Sequence, residues 1–256
     1  MNDIETALGD LREKAPPRLT DRVMRAVEAA DDYVEISGPR GSLFIAFNEE
    51  GTSCVDAAGE GPEAFEEYFV GRFGRALRAA SAPPRGLAHA LETGDGRKLR
   101  YDLRGLTEFE VAVLRKALEI PKGEVRSYGW IAREIGRPKA VRAVGSALGH
   151  NPVPVVIPCH RVVRSDGMIG NYALGAPMKR ELLDTEGVDV EGIEQLAASG
   201  VRYVGSDTTH VFCVPTCHDA RRVTERHRVT FRNGRDATAH GYRPCKHCRP
   251  AEEHSA

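Results

Sequence analysis

The sequence is poor in several things. Aromatic residues make up 6% of its 256 residues, with a single tryptophan, Trp130. No apolar run approaches the roughly 20 residues that a membrane helix needs, so no membrane contact is expected. The formal net charge is only −1, and apolar residues reach 41%, which excludes the composition of a disordered chain. The opening residues, MNDIETALGD, are acidic and polar, unlike a secretory signal. A cytoplasmic protein follows as the expectation.

What charge there is lies unevenly. Residues 201–250 hold ten Arg and Lys against four Asp and Glu, whereas residues 1–104 hold fourteen against nineteen. A basic C-terminal part suits contact with a polyanion, though a solvated basic face has the same composition. Cysteine is scarce and clustered. Four of the six lie at Cys213, Cys217, Cys245 and Cys248, with Cys159 and Cys54 apart. In a cytoplasmic protein such clustering points to metal or catalysis before disulfides.

Residues 3–29 have helical periodicity broken by APP at 15–17, which predicts two short helices. DYVEIS, SLFIAF and TSCVDA read as strands, the first two joined by a GPRG turn. Cys54, inside the third, reads as a small buried hydrophobe. GPEAFEEYFVGRFG spaces its aromatics as a helix does. Residues 80–97 read as loop and RKLRYDL as a further strand. From Leu106 the pattern turns helical. Thr107 is the expected N-cap of LTEFEVAVLRKALEI, and Ser127 that of SYGWIAREIG. A second helix, RPKAVRAVGSALGH, is expected to start at Pro138. Two short helices about a glycine-containing turn fit a helix-turn-helix, with Arg137, Lys139 and Arg142 at the end that meets DNA. A helix is expected over 175–186, and a linker containing a short helix over 187–200.

NPVPVVIPCHRVV, residues 151–163, stiffens an apolar run with three prolines and ends on a thiol beside an imidazole. The run reads as a buried strand. A thiol becomes a nucleophile as thiolate, and a neighbouring base can supply that state. His160 is adjacent in sequence, and Glu186 is a candidate to orient it.

This segment, with GNYALG downstream, resembles the active-site segment of O6-alkylguanine-DNA alkyltransferases, whose Pro-Cys-His-Arg-Val core is intact here. The resemblance runs from about Thr107 to Glu186 and more weakly over 32–103. It implies an α+β fold: a small α/β (ribonuclease H-like) domain at 32–104 and a winged helix-turn-helix catalytic domain at 105–190. An N-terminal helical extension (1–31) precedes them, and a linker (191–200) leads to a zinc-stapled module (201–251).

The resemblance also implies the chemistry. Cys159 takes the alkyl group from O6-alkylguanine, with O4-alkylthymine open as a second lesion. His160 acts on it through water and Glu186 orients His160. Asn151 ties the helix-turn-helix to the active-site segment, and Tyr128 hydrogen-bonds the flipped base. Arg142 fills the gap left in the duplex, Tyr172 packs in the guanine pocket, and Leu148 and Val162 line it. The implied protein is a monomer working once on double-stranded alkylated DNA, with no cofactor for the transfer. Ala173 departs from the serine common in animal members. Arg164 and Met168 read as solvent-facing or packing residues. A methylation-responsive DNA-binding sensor and an unrelated cysteine hydrolase are the competing readings.

The C-terminal cysteines form Cys-x3-Cys and Cys-x2-Cys pairs with 27 residues between them. Two close pairs of thiolates suit a tetrahedral structural zinc, which a module of this size needs as a staple. His218 and His247, beside ligand cysteines, stay open as alternative ligands. The segment resembles the zinc domain of the adaptive-response protein Ada, which repairs methyl phosphotriesters. That resemblance leaves two roles for Cys213, methyl acceptor or structural ligand, and offers Arg221, Arg222, Arg226 and Arg228 as phosphate contacts. The module is N-terminal in Ada and C-terminal here.

Overall fold

The computed structural model describes residues 30–250 except 39, 40, 58 and 60. The helices expected over 3–29 and the middle of the GPRG turn lie outside the described residues.

The first unit is a four-stranded sheet ordered β3-β2-β1-β4. Its strands are β1 (Ala30–Gly38), β2 (Gly41–Asn48), β3 (Gly51–Ala57) and β4 (Ala76–Ala79), with β4 parallel to β1. The alternation in β2 shows how both faces are used. Leu43 and Ile45 point to one face and Phe44 and Ala46 to the other, and all four are buried. The Phe44 face, with Tyr33 and Cys54, is covered by α1 (Pro62–Phe73) through Phe65 and Phe69. Burial pushes the Cys54 thiol up to about 12, as suits a packing residue.

Two expectations fail after this sheet. Residues 80–97 are not all loop, because α2 (Leu87–Thr93) forms there and buries Leu87 and Ala90. Seven residues between Gly86 and Gly94 are too few to display a helical period. RKLRYDL does not become a strand. It meets β3 at a single bridge, Thr52↔Tyr101, held by Thr52 N–H to the Arg100 carbonyl and Asp102 N–H to the Thr52 carbonyl. The approach is so close that a Cβ on Gly51 would stand 2.3 Å from the Arg100 backbone.

The other sheet face meets the helical unit in one continuous core. Val34, Ile45 and Val55 join Val113 and Leu114 of α3 (Glu108–Ala117), Trp130 and Ile131 of α4 (Tyr128–Glu134), Val144 and Leu148 of α5 (Val141–Gly149), and Cys159. Both expected caps form. Thr107 and Glu110 make a reciprocal capping box, and Ser127 accepts from Trp130 N–H.

The start of α5 differs from expectation. Arg137 to Ala140 is a turn closed by Ala140 N–H to the Arg137 carbonyl. Pro138 takes its second position, where its fixed φ suits a turn as well as a helix. The helix begins at Val141, so Arg137 and Lys139 precede it and only Arg142 lies in its first turn.

The Pro-rich run is not a strand either. Prolines at 152, 154 and 158 donate no N–H, and Val155 has φ 72°. The chain makes one isolated bridge, Pro154↔Ile157, then a 3-10 turn over Cys159–Arg161. Only β6 (Val162–Val163) is strand, parallel to β5 (Arg126–Ser127). Helices α6 (Ala176–Thr185) and α7 (Val190–Ala198) follow, the latter covering most of the expected linker.

The last unit is a sheet ordered β10-β8-β7-β9. It comprises β7 (Tyr203–Ser206), β8 (Val211–Cys213), β9 (Arg228–Phe231) and β10 (Arg243–Pro244), with short helices α8 (His218–Arg221) and α9 (Gly234–Ala239). A small core of Phe212, Phe231, Ala237 and Tyr242 lies beside the cysteines. Among the described residues, no helix is long and apolar enough to cross a membrane.

Candidate active site and metal centre

Cys159 sits where three constraints meet. The turn after α5 carries Asn151, whose Nδ2 donates to the Ile157 carbonyl and to Cys159 Sγ, each at 3.1 Å. Its Oδ1 accepts from Val153 N–H at 3.0 Å. One side chain therefore fixes both the bend and the sulfur. Cys159 is 4% exposed. Burial raises its thiol pKa, opposed by the Asn151 hydrogen bond and the charge of Lys179. The resting group is a thiol, and the Asn151 amide and the Lys179 charge offset part of what burial costs a thiolate.

His160 points the other way. Its Nε2 lies 3.0 Å from Glu186 Oε1, just beyond the end of α6. Its Nδ1 is buried and has no partner among the described residues. Burial lowers the imidazole pKa, against the raising effect of Glu186, so the ring is neutral and able to accept a proton. Glu186 is held at about 2 despite its burial, by hydrogen bonds from His160 and Arg161.

Two residues to which the sequence assigned no role complete the site. Arg161 is 2% exposed, and its guanidinium contacts both oxygens of Glu186 and the carbonyls of Ile120 and Gly94. It locks the carboxylate that orients His160. Lys179 is fully buried and donates to the Val162 carbonyl at 2.6 Å and the Asn171 carbonyl at 3.3 Å. Burial brings it down to about 8, and the Cys159 charge resists that fall. A signal existed in the sequence: Lys179 falls on the face of α6 that carries Leu182 and Leu183, where a cation needs a reason.

Around the sulfur stand further expected residues. Tyr128 opens α4, packs against the core and lies within ordinary van der Waals reach of α5 at Gly145. Tyr172 meets the His160 ring edge-on at 6.2 Å. Its hydroxyl is buried beside Cys159 and Val155 without a well-formed hydrogen bond. Leu148 and Val162 are buried. Arg142 stands apart, exposed on α5, and Ala173 is exposed.

The four C-terminal cysteines do converge. Their sulfurs lie within 4.8 Å of one another, and all four residues are buried. A tetrahedron of Zn–S bonds of about 2.3 Å has edges of ~3.8 Å, which falls within that spacing, so the cluster fits zinc. Hydrogen bonds from Cys213 and Cys248 hold Cys217 well below the usual thiol range. His218 turns to Asp219, leaving four sulfurs as the donor set. His247 reaches Glu124 at 3.2 Å, and a second grouping of Glu124, Cys217 and His247 shares one of those sulfurs.

A family model described as the DNA-binding domain of 6-O-methylguanine DNA methyltransferase matches residues 108–188. The methylated-DNA–protein-cysteine methyltransferase of Methanosarcina acetivorans is 35% identical over 165 residues, covering 60% of this chain and 97% of that protein. The chain belongs to this methyltransferase family. A relative of the same name from Mycobacterium tuberculosis is 52% identical over 88 residues, 34% of this chain. The chain spans about half (53%) of that relative's length.

Among solved structures, the O6-methylguanine-DNA methyltransferase of Pyrococcus kodakaraensis superposes with a TM-score of 0.51 at 26% identity, covering 62% of this chain and 99% of that one. What this methyltransferase-family chain adds is a second match over 194–251, to the metal-binding domain of Ada. That match spans all four clustered cysteines.

Proposed function

We propose that this protein repairs DNA by direct reversal, moving a methyl or other alkyl group from O6-alkylguanine to Cys159 once per molecule. This makes it a methylated-DNA–[protein]-cysteine S-methyltransferase. The observation that carries the reading is the chain of contacts from Asn151 to Cys159 and from His160 through Glu186 to Arg161. It presents one sulfur, one neutral base and one fixed carboxylate.

The target atom faces the pairing edge of the base, so the nucleotide leaves the stack to react. The α4–α5 pair acts as the helix-turn-helix of a winged catalytic domain at 105–190, and exposed Arg142 takes the vacated place. Sγ attacks the alkyl carbon, the S–C bond forms and the C–O6 bond breaks. The thiol proton passes through a water to Nδ1 of His160, whose cation Glu186 stabilises. The Tyr128 hydroxyl protonates the departing guanine and recovers its proton from solvent. Lys179 steadies the thiolate as it develops. The thioether has no path to hydrolysis, and the transfer needs no cofactor.

The remaining assignments follow the same reading. Residues 32–104 form a ribonuclease H-like domain, 201–251 a zinc module, and the protein works as a cytoplasmic monomer on duplex DNA. Cys213, Cys217, Cys245 and Cys248 would hold zinc, which keeps thiols deprotonated when bound. Cys213, by its position in the Ada-like segment, is the candidate second acceptor.

The test is intact-protein mass spectrometry with peptide mapping after mixing with DNA carrying one O6-methylguanine or one methyl phosphotriester. One methyl on Cys159 from the first DNA is expected, and none would reject the reading. Methyl on Cys213 from the second DNA would establish a two-lesion repair protein.

A further inference from the structure

The cysteine module and the helical unit do not merely adjoin; they share a cleft of about 280 Å³. One wall comprises Arg126, Ser127, Trp130 and Arg133, with the turn Arg164–Gly167. The other comprises Arg202, Val214–Thr216 and Arg232–Gly234. Cys159 does not line it. Hydrogen bonds fix the walls together: Val125 N–H donates to Thr216 Oγ1 at 3.0 Å, and Arg133 donates to the Arg249 carbonyl at 2.9 Å. Arg249 also pairs with Glu134 at 2.8 Å and lies over the Trp130 ring.

The charge of the lining says what the cleft takes. Its charged lining is five arginines against one acid, Asp166. Glu124 neutralises Arg126, and Asp166 neutralises Arg164. Among the described residues, Arg133, Arg202 and Arg232 have no carboxylate partner. Among the described residues, Arg126 Nε and Trp130 Nε1 are buried donors without a hydrogen-bond acceptor, on residues 3% and 5% exposed. More than nine in ten buried polar groups find a partner. Those two atoms lie behind the wall and out of a ligand's reach, whereas the three arginines without a carboxylate partner call for an occupant carrying negative charge.

We propose that this cleft binds a phosphate of the DNA backbone flanking the lesion, so that the cysteine module and the catalytic unit grip one duplex. The proposal rests on the DNA-repair reading above. Placement favours a backbone phosphate. Helix α4 starts at Tyr128, immediately after cleft-lining Ser127, and packs against α5, which carries Arg142. The cleft and the DNA-facing helix are therefore separated by one helix of about 10 Å, roughly three base-pair steps. The guanidinium fork matches phosphate oxygens.

The experiment uses the full chain loaded with zinc. Its affinity for an unmodified duplex is measured by fluorescence anisotropy across a salt series, for wild type, Arg232→Ala, Arg232→Lys and Trp130→Phe. Arg232 is exposed, so its loss leaves the fold intact. Arg232→Ala is expected to weaken binding about tenfold at low salt. It should also flatten the slope of log affinity against log salt by roughly 0.9, the value of one phosphate contact. Arg232→Lys should restore the slope. Trp130→Phe, which keeps a ring and loses an N–H shielded from the cleft, is the control and should change neither affinity nor slope.

An unchanged slope and affinity in Arg232→Ala overturn the proposal. So does a wild-type Tm raised by inorganic phosphate while DNA binding ignores Arg232, which would assign the cleft to a free anion. Methyl transfer to Cys159 is followed in the same preparations. Transfer that persists beside an unaltered slope rejects the cleft alone, and transfer that is absent beside a flattened slope rejects the Cys159 reading alone.

Discussion

The two sulfur sites of this molecule are both buried and chemically opposite. Cys159 is solitary. Its neighbours are an amide, a lysine and a phenol, and each favours the thiolate without competing for the sulfur. The four cysteines of the C-terminal unit set one another, through sulfur-to-sulfur contacts that only a shared ion or proton can satisfy. The first arrangement keeps a nucleophile in reserve. The second uses thiols as a staple for a unit whose own apolar core is four residues. Burial of sulfur is thus uninformative by itself, and its company decides the role.

The comparison breaks most completely at Cys159. Cys159→Ala should abolish transfer from O6-methylguanine, with no methyl found by intact mass, while duplex affinity stays within about twofold and the zinc content is unchanged. Next comes Arg161→Met, which leaves the buried Glu186 short of its main cation. A loss of ~3–5 kcal/mol in urea unfolding is expected, and a loss under about 1 kcal/mol would deny Arg161 its clamp role.

Glu186→Gln should slow transfer about ten- to a hundredfold with little change in DNA affinity. It carries a pH signature as well. Glu186 raises the pKa of His160, so the acid inflection of the rate should move to lower pH in the variant. An inflection that stays in place would mean Glu186 only supports the fold.

Zinc removal sharpens the contrast from the other side. Chelation should unlock amide exchange across residues 201–250 while slowing single-turnover transfer at Cys159, measured at saturating DNA, less than about threefold, since no cysteine of the cluster touches the relay. Simultaneous loss of both would make the module part of the active site.

The smallest effect is on acid stability, where the signs agree. The His160 pKa is depressed in the folded state, so its contribution is complete above the ordinary value of about 6.5 and lost as pH falls below it. Glu186 is depressed from 4.5 to about 2, so its contribution is complete above 4.5 and disappears between 4.5 and 2. Thermal unfolding against pH should decline in both windows, and Glu186→Gln should flatten the lower one.

How much of this was legible beforehand depended on whether local rules decided the outcome. Thr107 and Ser127 were readable as caps because a cap is settled by a few adjacent residues. The β1–β3 hairpins followed from their alternation. Helix α2 escaped because seven residues cannot show a period. RKLRYDL escaped because it meets the sheet at one bridge rather than along a ladder. The strand expected before Cys159 failed because its prolines supply too few donors for pairing. Cys159 and His160 stand out in their motif and the four clustered cysteines in their spacing, whereas Glu186 was one candidate among others until the family resemblance pointed to it. Arg161 and Lys179 could not be given roles, because burial of a cation depends on carbonyls from distant segments such as Gly94 and Ile120. The cleft of Arg126 and Arg232 depends on two units meeting, which no local pattern encodes.

The Glu124 carboxylate, 2% exposed, accepts from His218 N–H of the cysteine module as well as from Arg126. With Val125 and Trp130 it forms a seat that the module covers. Anyone dissecting the protein will meet this seat. A fragment ending before residue 200 would carry into solvent a freshly bared carboxylate amid apolar side chains, and should express poorly or self-associate. A fragment keeping the module should remain well behaved at high concentration. The practical unit of this protein for biochemistry is the joined pair.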